Sequence, residues 1–294
     1  MMGAVNAFKL PGESSRDLVD RVRRLTKIRK AGHAGTLDPA AAGVLPILLG
    51  RATRLQEFLS TTNKVYVAEA TFGAETDSGD AYGEVVRTTD RIPTHAEVRG
   101  VLDHLVGEGE QVPPMTSAIK RQGVPLYRLA RRGITVSREP RRIRIYALEM
   151  LEWRSGPPDR ALLRIECSPG TYIRTLVEDL GLLLDSAAFM SFLVRTRVGP
   201  FHLRESVVPG VSEDLPILPA SDILCFLPSK VLNPGQAMRV AHGGVPPDLG
   251  ELPQGTLRLL DEGGRLIAVG RGEGKRLRLD RVLVRPGEIG GEER

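Results

Sequence analysis

Apolar residues recur at a spacing of three or four in several stretches of the chain, and this spacing predicts amphipathic helices. In the first stretch the apolar positions begin at Leu18, and Ser14 or Ser15 can cap the helix by accepting hydrogen bonds from its first free N–H groups. The last stretch follows directly after Pro169-Gly170, a turn-forming pair. The predicted helices cover residues 14–28, 94–105, 126–132 and 173–184.

Strands are predicted where apolar and polar residues alternate, or where β-branched and aromatic residues are frequent. The alternation is clearest at 161–167, which has one strongly apolar face. Residues 44–49 are apolar throughout and predict a buried strand, in which Pro46 limits pairing on one side. Small side chains without a period predict a loop at 29–42, and residues 80–83 predict a turn. The predicted strands cover 44–49, 64–71, 143–150 and 161–167.

These helices and strands do not alternate regularly, which predicts an α+β domain with a mixed or antiparallel sheet flanked by helices. From about Leu215 the chain becomes rich in Pro and Gly and contains short apolar runs at 257–260, 266–269 and 281–284. These runs predict a small C-terminal all-β module. The expected domains are residues 1–225, with a basic insertion at about 107–142, and residues 228–294.

Positive charge is concentrated in two parts of the chain. The 41 Lys and Arg exceed the 36 Asp and Glu by only five. Residues 119–144, however, contain nine basic residues and one acid, and residues 16–30 contain seven basic residues and two acids. Clustered positive charge on this scale is typical of a surface that binds a polyanion, although a solvated surface can carry it too. Because two such stretches occur, nucleic acid is the expected partner.

Several classes of protein are not supported by the composition. Cys167 and Cys225 are far apart in sequence, and the five histidines lack ligand spacing, so neither a disulfide framework nor a bound metal is expected. No apolar run approaches the roughly 20 residues that span a bilayer. The N-terminus lacks the basic start and apolar stretch of a signal peptide. A cytoplasmic protein without a membrane partner is therefore expected.

Two segments contain residues that could carry chemistry. Asp38 lies in the predicted loop between a basic helix and a buried strand, where a carboxylate can act as a nucleophile or a base. The alternative is a structural Asp-Pro turn. Tyr172 and Arg174 lie where a strand ends and a helix begins, a position that favours an anion. The alternative there is an ordinary connection with a surface arginine.

Together these segments resemble the bacterial tRNA pseudouridine-55 synthases. The segment Gly32-His33-Ala34-Gly35-Thr36-Leu37-Asp38-Pro39, followed by Gly43-Val44-Leu45-Pro46, is similar to the signature of that family. The similarity spans about residues 12–205, and its parts occur in the family's order. The further matching segments are 64–66, 76–80, 111–114, 117–120, 123, 126–127, 130–131, 170–174 and 193–195.

The resemblance implies a chemistry, a fold and a partner. In this family a uridine of the tRNA T-loop is detached from its ribose, rotated and rejoined through carbon, without cofactor or metal. The implied fold is the pseudouridine synthase fold with a C-terminal PUA-like RNA-binding module, although the C-terminal letters match only weakly. The implied partner is the T-arm stem-loop of tRNA, bound by a monomer. Extrusion of the target nucleotide should cost a few kcal/mol, which stacking on aromatic side chains offsets.

The resemblance also implies roles for individual residues. The catalytic aspartate is Asp38, and Arg174 pairs with it and keeps it ionised. The implied catalytic residues are Asp38, Tyr66 and Arg174. The implied substrate contacts are His33, which stacks in the site and helps to hold the loop open, Tyr66 against the flipped uracil, Lys120, which contacts RNA or supports the site, Tyr172 near the aspartate, and Leu193 in the apolar wall.

Two segments depart from the family pattern. The usual Lys-Pro-x-Gly element reads Lys9-Leu10-Pro11-Gly12, and a usual Gly-Ala-His-like stretch reads Ala187-Ala188-Phe189. No roles are assigned to these positions. Two alternatives remain, namely a guide-RNA-dependent synthase of the same superfamily and a non-catalytic RNA-binding or RNA-chaperone protein. The sequence leaves open whether Asp38 attacks the uracil ring, attacks the anomeric carbon or removes a ribose proton.

Overall fold

The computed structural model describes residues 2–117, 119–130, 132–211 and 215–289. Ala118 and Arg131, which belong to the predicted motifs and the basic insertion, lie outside the described residues, as do residues 290–294 of the predicted C-terminal module. The helices are α1 Ser15–Thr26, α2 Gln56–Ser60, α3 His95–Val101, α4 Leu126–Ala130, α5 Ile173–Leu183, α6 Ala220–Ile223 and α7 Pro234–Ala241, with 3-10 turns at Gly50–Leu55, Leu102–Leu105, Leu203–Glu205 and Pro286–Glu288.

The strands, in chain order, form one large sheet, a C-terminal sheet and two short hairpins. They are β1 Gly3–Lys9, β2 Ala31–His33, β3 Ala42–Leu49, β4 Lys64–Phe72, β5 Ala74–Thr76, β6 Val85–Thr88, β7 Gly107–Gln111, β8 Lys120–Arg121, β9 Val124–Pro125, β10 Arg141–Arg154, β11 Arg160–Cys167, β12 Ala188–Val198, β13 Phe201–His202, β14 Leu218–Pro219, β15 Ser229–Val231, β16 Gly255–Leu260, β17 Leu266–Glu273 and β18 Arg276–Val282.

The large sheet has the order β14-β1-β3-β12-β4-β11-β10-β7, with β2 added to β3 and β13 added to β12. All of its pairs are antiparallel except β3 with β12, which is parallel. The predicted mixed sheet is therefore confirmed. Its core includes the buried faces of β3, β4, β11, α1 and α5, so the predicted amphipathic elements provide most of the interior.

Helix α1 begins after the capping residue Ser14, one of the two predicted for it. The Oγ of Ser14 accepts a hydrogen bond from the Asp17 N–H at 3.2 Å, and the Asp17 carboxylate accepts one from the Ser14 N–H at 2.9 Å. Helix α1 ends at Thr26 because Lys27 has a left-handed φ of 56°. The helix predicted to continue to residue 132 ends earlier, at Ala130.

Several strands were not predicted, among them β1 and β12, and one predicted loop is partly strand. The central strand β12 was not predicted because two register shifts, near Met190 and Arg195, break the alternation of its apolar and polar residues. Strand β1 is composed largely of small residues. The loop prediction for 29–42 is wrong at both ends, since β2 pairs with β3 from Ala31 and β3 already begins at Ala42.

The C-terminal sheet has the order β15-β16-β17-β18 and surrounds its own apolar core. Its strand character is confirmed, but the eight-residue helix α7 shows that this region is not composed of strands alone. The strand predicted at 281–284 instead ends at Val282. Leu266 and Val269 of this sheet pack in one cluster with Leu48 and Leu55 of the N-terminal part. None of the described helices is both long enough and apolar enough to cross a membrane.

Candidate active site

Asp38 and Arg174 form an ion pair although 136 positions separate them in sequence. Their closest atoms, Asp38 Oδ2 and Arg174 Nη2, are 3.0 Å apart. The Arg174 side chain is only 5% exposed, whereas the Asp38 side chain is 38% exposed. The arginine is therefore fixed in the protein interior and the carboxylate faces the solvent-accessible cleft.

Arg174 lies in the first turn of α5 and is held by further polar groups. Its Nη1 donates to the Ser78 carbonyl at 2.9 Å and to the Thr116 hydroxyl. Asp80 Oδ2 lies 3.7 Å from the same nitrogen. The other Asp80 oxygen accepts hydrogen bonds from Ser78 Oγ at 2.7 Å and Tyr82 N at 3.0 Å.

Asp80 was predicted only as part of a turn, and its second function was missed. It occupies the predicted turn, but its buried carboxylate also orients Arg174 opposite Asp38. The sequence did contain an indication of this, because Asp80 follows the turn-forming pair Ser78-Gly79 within the matching segment 76–80.

The loop that carries Asp38 is held by side chains from both neighbouring elements. Lys9 Nζ donates to the carbonyls of Pro39 at 3.1 Å and Ala41 at 2.6 Å. Ser15 exchanges hydrogen bonds with the backbone of Leu37, at 2.9 and 3.0 Å. Burial lowers the pKa of Lys9 to about 8. Lys9 belongs to the departing Lys-Leu-Pro-Gly segment, to which no role was assigned.

The ion pair lies in a cleft of about 380 Å³, within the range of roughly 300–1,000 Å³ typical of ligand sites. Tyr66, Tyr172 and Leu193 line the same cleft, so the structure brings together five of the seven residues predicted for the site. The Tyr172 backbone is fixed by the Gln111 side chain, which accepts from its N–H at 3.0 Å and donates to its carbonyl at 3.3 Å.

Tyr66 lies in β4 and is almost entirely buried beside the cleft. Burial raises the pKa of its phenol above the ordinary value, against the opposing effect of the Arg195 guanidinium next to it. The phenol is therefore neutral at physiological pH. A neutral aromatic ring at the wall of a cleft offers an apolar face to a flat base.

His33 and Lys120 are not among the residues that line the cleft. His33 is part of β2 rather than of a loop, and its buried Nδ1 has no partner within the described residues. Burial lowers the pKa of its imidazole, and Arg195 adds to that effect. Lys120 is exposed in the β8–β9 hairpin, although its neighbour Ile119 reaches the cleft.

Three further cleft residues were missed by sequence reasoning. Lys64 and Arg195 contribute buried positive charge, and Ser117 contributes a buried hydroxyl without a partner in the described chain. Burial lowers the pKa of Lys64 to about 8. Arg195 is next but one to the predicted Leu193, so it lay within a matching segment without being assigned a function.

The arrangement combines an accessible carboxylate, a guanidinium paired with it, and aromatic and aliphatic walls. Such a site can bind a flat, uncharged ring beside a nucleophile or base. Within the described ranges, no group of three or more His, Cys, Asp or Glu is placed to hold a metal ion.

The fold is shared with proteins of known structure. One chain of the crystal structure of a Cbf5-Nop10-Gar1 complex superposes with a TM-score of 0.75, at 25% sequence identity, over 99% of this chain and 87% of that chain. A chain of an H/ACA RNP bound to a substrate RNA containing 2'-deoxyuridine gives a TM-score of 0.73 at 23% identity, over 97% and 86% of the two chains.

Similarity in sequence assigns the family. Residues 23–173 match the model of the TruB family pseudouridylate synthase N-terminal domain. The chain is 46% identical to tRNA pseudouridine synthase B of Symbiobacterium thermophilum over 83% of both chains. It is 40% identical to the protein of the same name from Moorella thermoacetica, over 93% of this chain and 94% of that one. The chain belongs to the TruB family of pseudouridylate synthases.

Proposed function

We propose that this protein converts uridine to pseudouridine at position 55, in the T-loop of tRNA. The observation that carries the proposal is the Asp38–Arg174 ion pair at 3.0 Å in a cleft walled by Tyr66, Tyr172 and Leu193. Membership of the TruB family and relatives named tRNA pseudouridine synthase B support it. The protein is accordingly an isomerase that acts on tRNA.

The reaction requires that the target nucleotide leaves the RNA stack and enters the cleft. RNA loops permit this because their bases can be splayed out, at a cost of a few kcal/mol. In the cleft the uracil lies against Tyr66, with Tyr172 and Leu193 on the other walls. Asp38 then acts on the nucleotide, the N1–C1′ bond breaks, and a bond between C5 and C1′ replaces it. The proton lost from C5 balances the proton gained at N1.

The ion pair positions Asp38 for this chemistry, because a guanidinium in contact with a carboxylate fixes its orientation in the cleft. Asp80, Ser78 and Thr116 hold Arg174 from behind, so that its Nη2 stays directed at Asp38. Whether Asp38 attacks uracil, attacks the anomeric carbon or removes a ribose proton is decided by trapping with a fluorinated uridine and identifying the product.

The basic insertion at about 107–142 supports binding of the T-arm stem. Ser117 and Ile119 place part of this insertion at the cleft, and Lys120, Arg121, Arg128 and Arg132 are exposed beside it. Basic side chains in these positions can contact the phosphates on either side of the extruded nucleotide. Lys120 therefore keeps its predicted contact with RNA, outside the cleft. His33 remains proposed to stack near the entrance.

The domain organisation proposed here follows the two sheets. Residues 1–225 form the catalytic domain, and residues 228–294 form a PUA-like RNA-binding domain. The separate apolar core of the C-terminal sheet and its exposed arginines on β18 support this division. We further propose that the protein acts as a monomer in the cytoplasm, where its tRNA substrate occurs.

The proposal is tested with purified protein and a T-arm stem-loop of unmodified RNA, without guide RNA and without added metal. Release of tritium from uridine labelled at C5, with mapping of the modified position, is the measurement. We expect stoichiometric conversion at position 55 alone. Binding without conversion would indicate an RNA-binding or chaperone protein instead, and conversion only when a guide RNA is added would indicate the guide-dependent branch.

A further inference from the structure

We infer that Arg195 is a positioning residue for the isomerisation, since its guanidinium holds both ends of the Asp38 loop and stands beside Tyr66. The inference rests on the proposed function and adds a residue to it. Arg195 is distinct from Arg174, which contacts the Asp38 carboxylate itself.

Three hydrogen bonds of Arg195 go to backbone carbonyls on either side of Asp38, and its guanidinium also hydrogen-bonds the Tyr66 side chain. Its Nη2 donates to the Gly35 carbonyl at 3.0 Å, and its Nη1 donates to the Thr36 carbonyl at 3.3 Å. Its Nε donates to the Val44 carbonyl at 2.9 Å. Gly35 and Thr36 precede the aspartate, and Val44 follows it in β3. One planar group therefore connects the two sides of the loop, which limits how far Asp38 can move.

The positive charge of Arg195 is not balanced by a paired carboxylate among the described residues. The side chain is 1% exposed, and within the described part of the chain no carboxylate approaches within the 4.0 Å of an ion pair. Burial of an unpaired cation is unfavourable, and an apolar side chain of similar size would fill the space at lower cost. Burial lowers the pKa of Arg195, while Tyr66 and, more weakly, Asp38 raise it. Tyr66 and Asp38, which both line the cleft, are thus among the groups that stabilise this charge, together with the backbone carbonyls that accept its hydrogen bonds.

The backbone of the two strands fixes where the guanidinium lies. Arg195 pairs with Gly43 in the short parallel contact between β12 and β3. Gly43 has a φ of 114°, and a Cβ there would lie 2.2 Å from the Arg195 carbonyl oxygen. Only glycine permits this close approach of the two backbones. The approach therefore fixes the position of Arg195 relative to the Asp38 loop.

The test compares Arg195→Met, Arg195→Lys and the control Arg197→Met in the full-length protein. Arg197 lies on the same strand but bonds Glu166, 2.5 Å away, and is not among the residues lining the cleft. Single-turnover rate on the T-arm stem-loop, Kd for the same RNA and Tm are measured for each variant. We expect Arg195→Met to lower the rate by about 100-fold or more with a Kd within about threefold of wild type, because loss of positioning affects the chemical step.

Arg195→Lys should recover about tenfold of that loss, since an ammonium keeps the charge but cannot reach all three carbonyls. The control should keep a rate close to wild type even if its Tm falls by as much as that of Arg195→Met. A rate for Arg195→Met no lower than that of Arg197→Met, or a Kd that rises in step with the loss of rate, would overturn the inference.

If Arg195→Met does not fold, the rate and Kd of Arg195→Lys alone decide whether Arg195 is a positioning residue. A reduced rate at unchanged Kd supports positioning, and a wild-type rate excludes it. Failure of the wild-type protein to modify the stem-loop is a different result, because it removes the proposed function and not only the role of Arg195.

Discussion

At the scale of single residues, the site combines one accessible group with several buried ones. The Asp38 carboxylate is partly exposed, while the side chains that hold its loop, Lys9, Ser15 and Arg195, are all buried. Lys9, Ser15 and Arg195 donate most of their hydrogen bonds to backbone carbonyls of the loop. Because these three side chains belong to three different elements, the loop conformation depends on all three elements. This arrangement places one carboxylate accurately without burying it, as a group that must meet a large substrate requires.

Asp38→Asn should abolish turnover while RNA binding remains. The amide is nearly isosteric but can act neither as a nucleophile nor as a base, so we expect a fall in single-turnover rate of at least about 1,000-fold. The Kd for the T-arm stem-loop should stay within about threefold of wild type. Asp90→Asn, in an exposed segment, is the matched control. Measurable turnover by Asp38→Asn would remove the catalytic assignment.

Glu178 should make the stability of the protein depend on pH. Burial raises the pKa of this carboxyl to about 7 from an ordinary value of 4.5. Between these two values the folded state binds more protons than the unfolded state, so this group's contribution to the unfolding free energy falls as pH rises through that window. Glu178→Gln mimics the protonated form and should be more stable than wild type at pH 8, by about 1 kcal/mol after allowance for partial exposure.

Thermal unfolding at pH 5 and pH 8 measures the effect. A change of about 1 kcal/mol corresponds to roughly 2–4 °C in Tm for a chain of this size class. The advantage of Glu178→Gln should shrink at pH 5, where the wild-type carboxyl is largely protonated in the folded state. An equal difference at both pH values would show that Glu178 titrates normally.

At the scale of elements, α5 and the basic insertion meet at the cleft. The first turn of α5 supplies Arg174, and Tyr172 stands at its N-cap. Gln111, at the end of β7, binds the backbone of Tyr172 through two hydrogen bonds. Gln111, near the start of the insertion, is therefore attached to the site. A movement of the insertion on RNA binding would shift Tyr172 directly.

Neutralising the insertion should weaken RNA binding and reduce its salt dependence. The triple variant Arg128→Gln, Arg132→Gln, Arg142→Gln removes three exposed charges. If each contacts a phosphate, the slope of log K against log salt should decrease in magnitude by about 2 to 3. The control is Arg91→Gln, Arg99→Gln, Arg204→Gln, outside the insertion. An equal effect of both sets would mean that the insertion acts only through net charge.

At the scale of the whole molecule, the large sheet is what brings the site together. Strand β12 lies between β3 and β4, so Leu193 and Arg195 come next to the Asp38 loop on one side and Tyr66 on the other. The C-terminal sheet is joined to this body by a shared apolar cluster and by an Arg51–Glu288 ion pair at 2.7 Å. The two sheets should therefore unfold together.

Leu266→Ala should lower the stability of the entire chain. Leu266 is buried in the cluster shared by both sheets, and loss of such a side chain typically costs about 2–5 kcal/mol. Leu257→Ala, in the core of the C-terminal sheet alone, is the comparison. Calorimetry should show one transition for both variants and for wild type. A separate early transition that only Leu257→Ala shifts would show that the C-terminal region unfolds independently.

The sequence by itself determined those features that depend on neighbouring residues. Helical spacing and the Ser14 cap identified α1, the alternation at 161–167 identified β11, and the segments around Asp38 and Arg174 predicted two residues that the structure pairs. These succeeded because capping, periodicity and turn chemistry act over a few residues.

Only the tertiary structure decided which distant residues complete the site. Strand β12 is interrupted by bulges, so its residues do not show the regular alternation that predicts a strand. For the same reason the sequence did not indicate that Arg195 is buried. Asp80 was predicted in a turn, and only the structure shows its carboxylate 3.7 Å from Arg174. The structure also shows that Lys120 is exposed in the β8–β9 hairpin. Burial and pairing across the sheet arise from contacts between residues far apart in the chain, which a one-dimensional pattern does not contain.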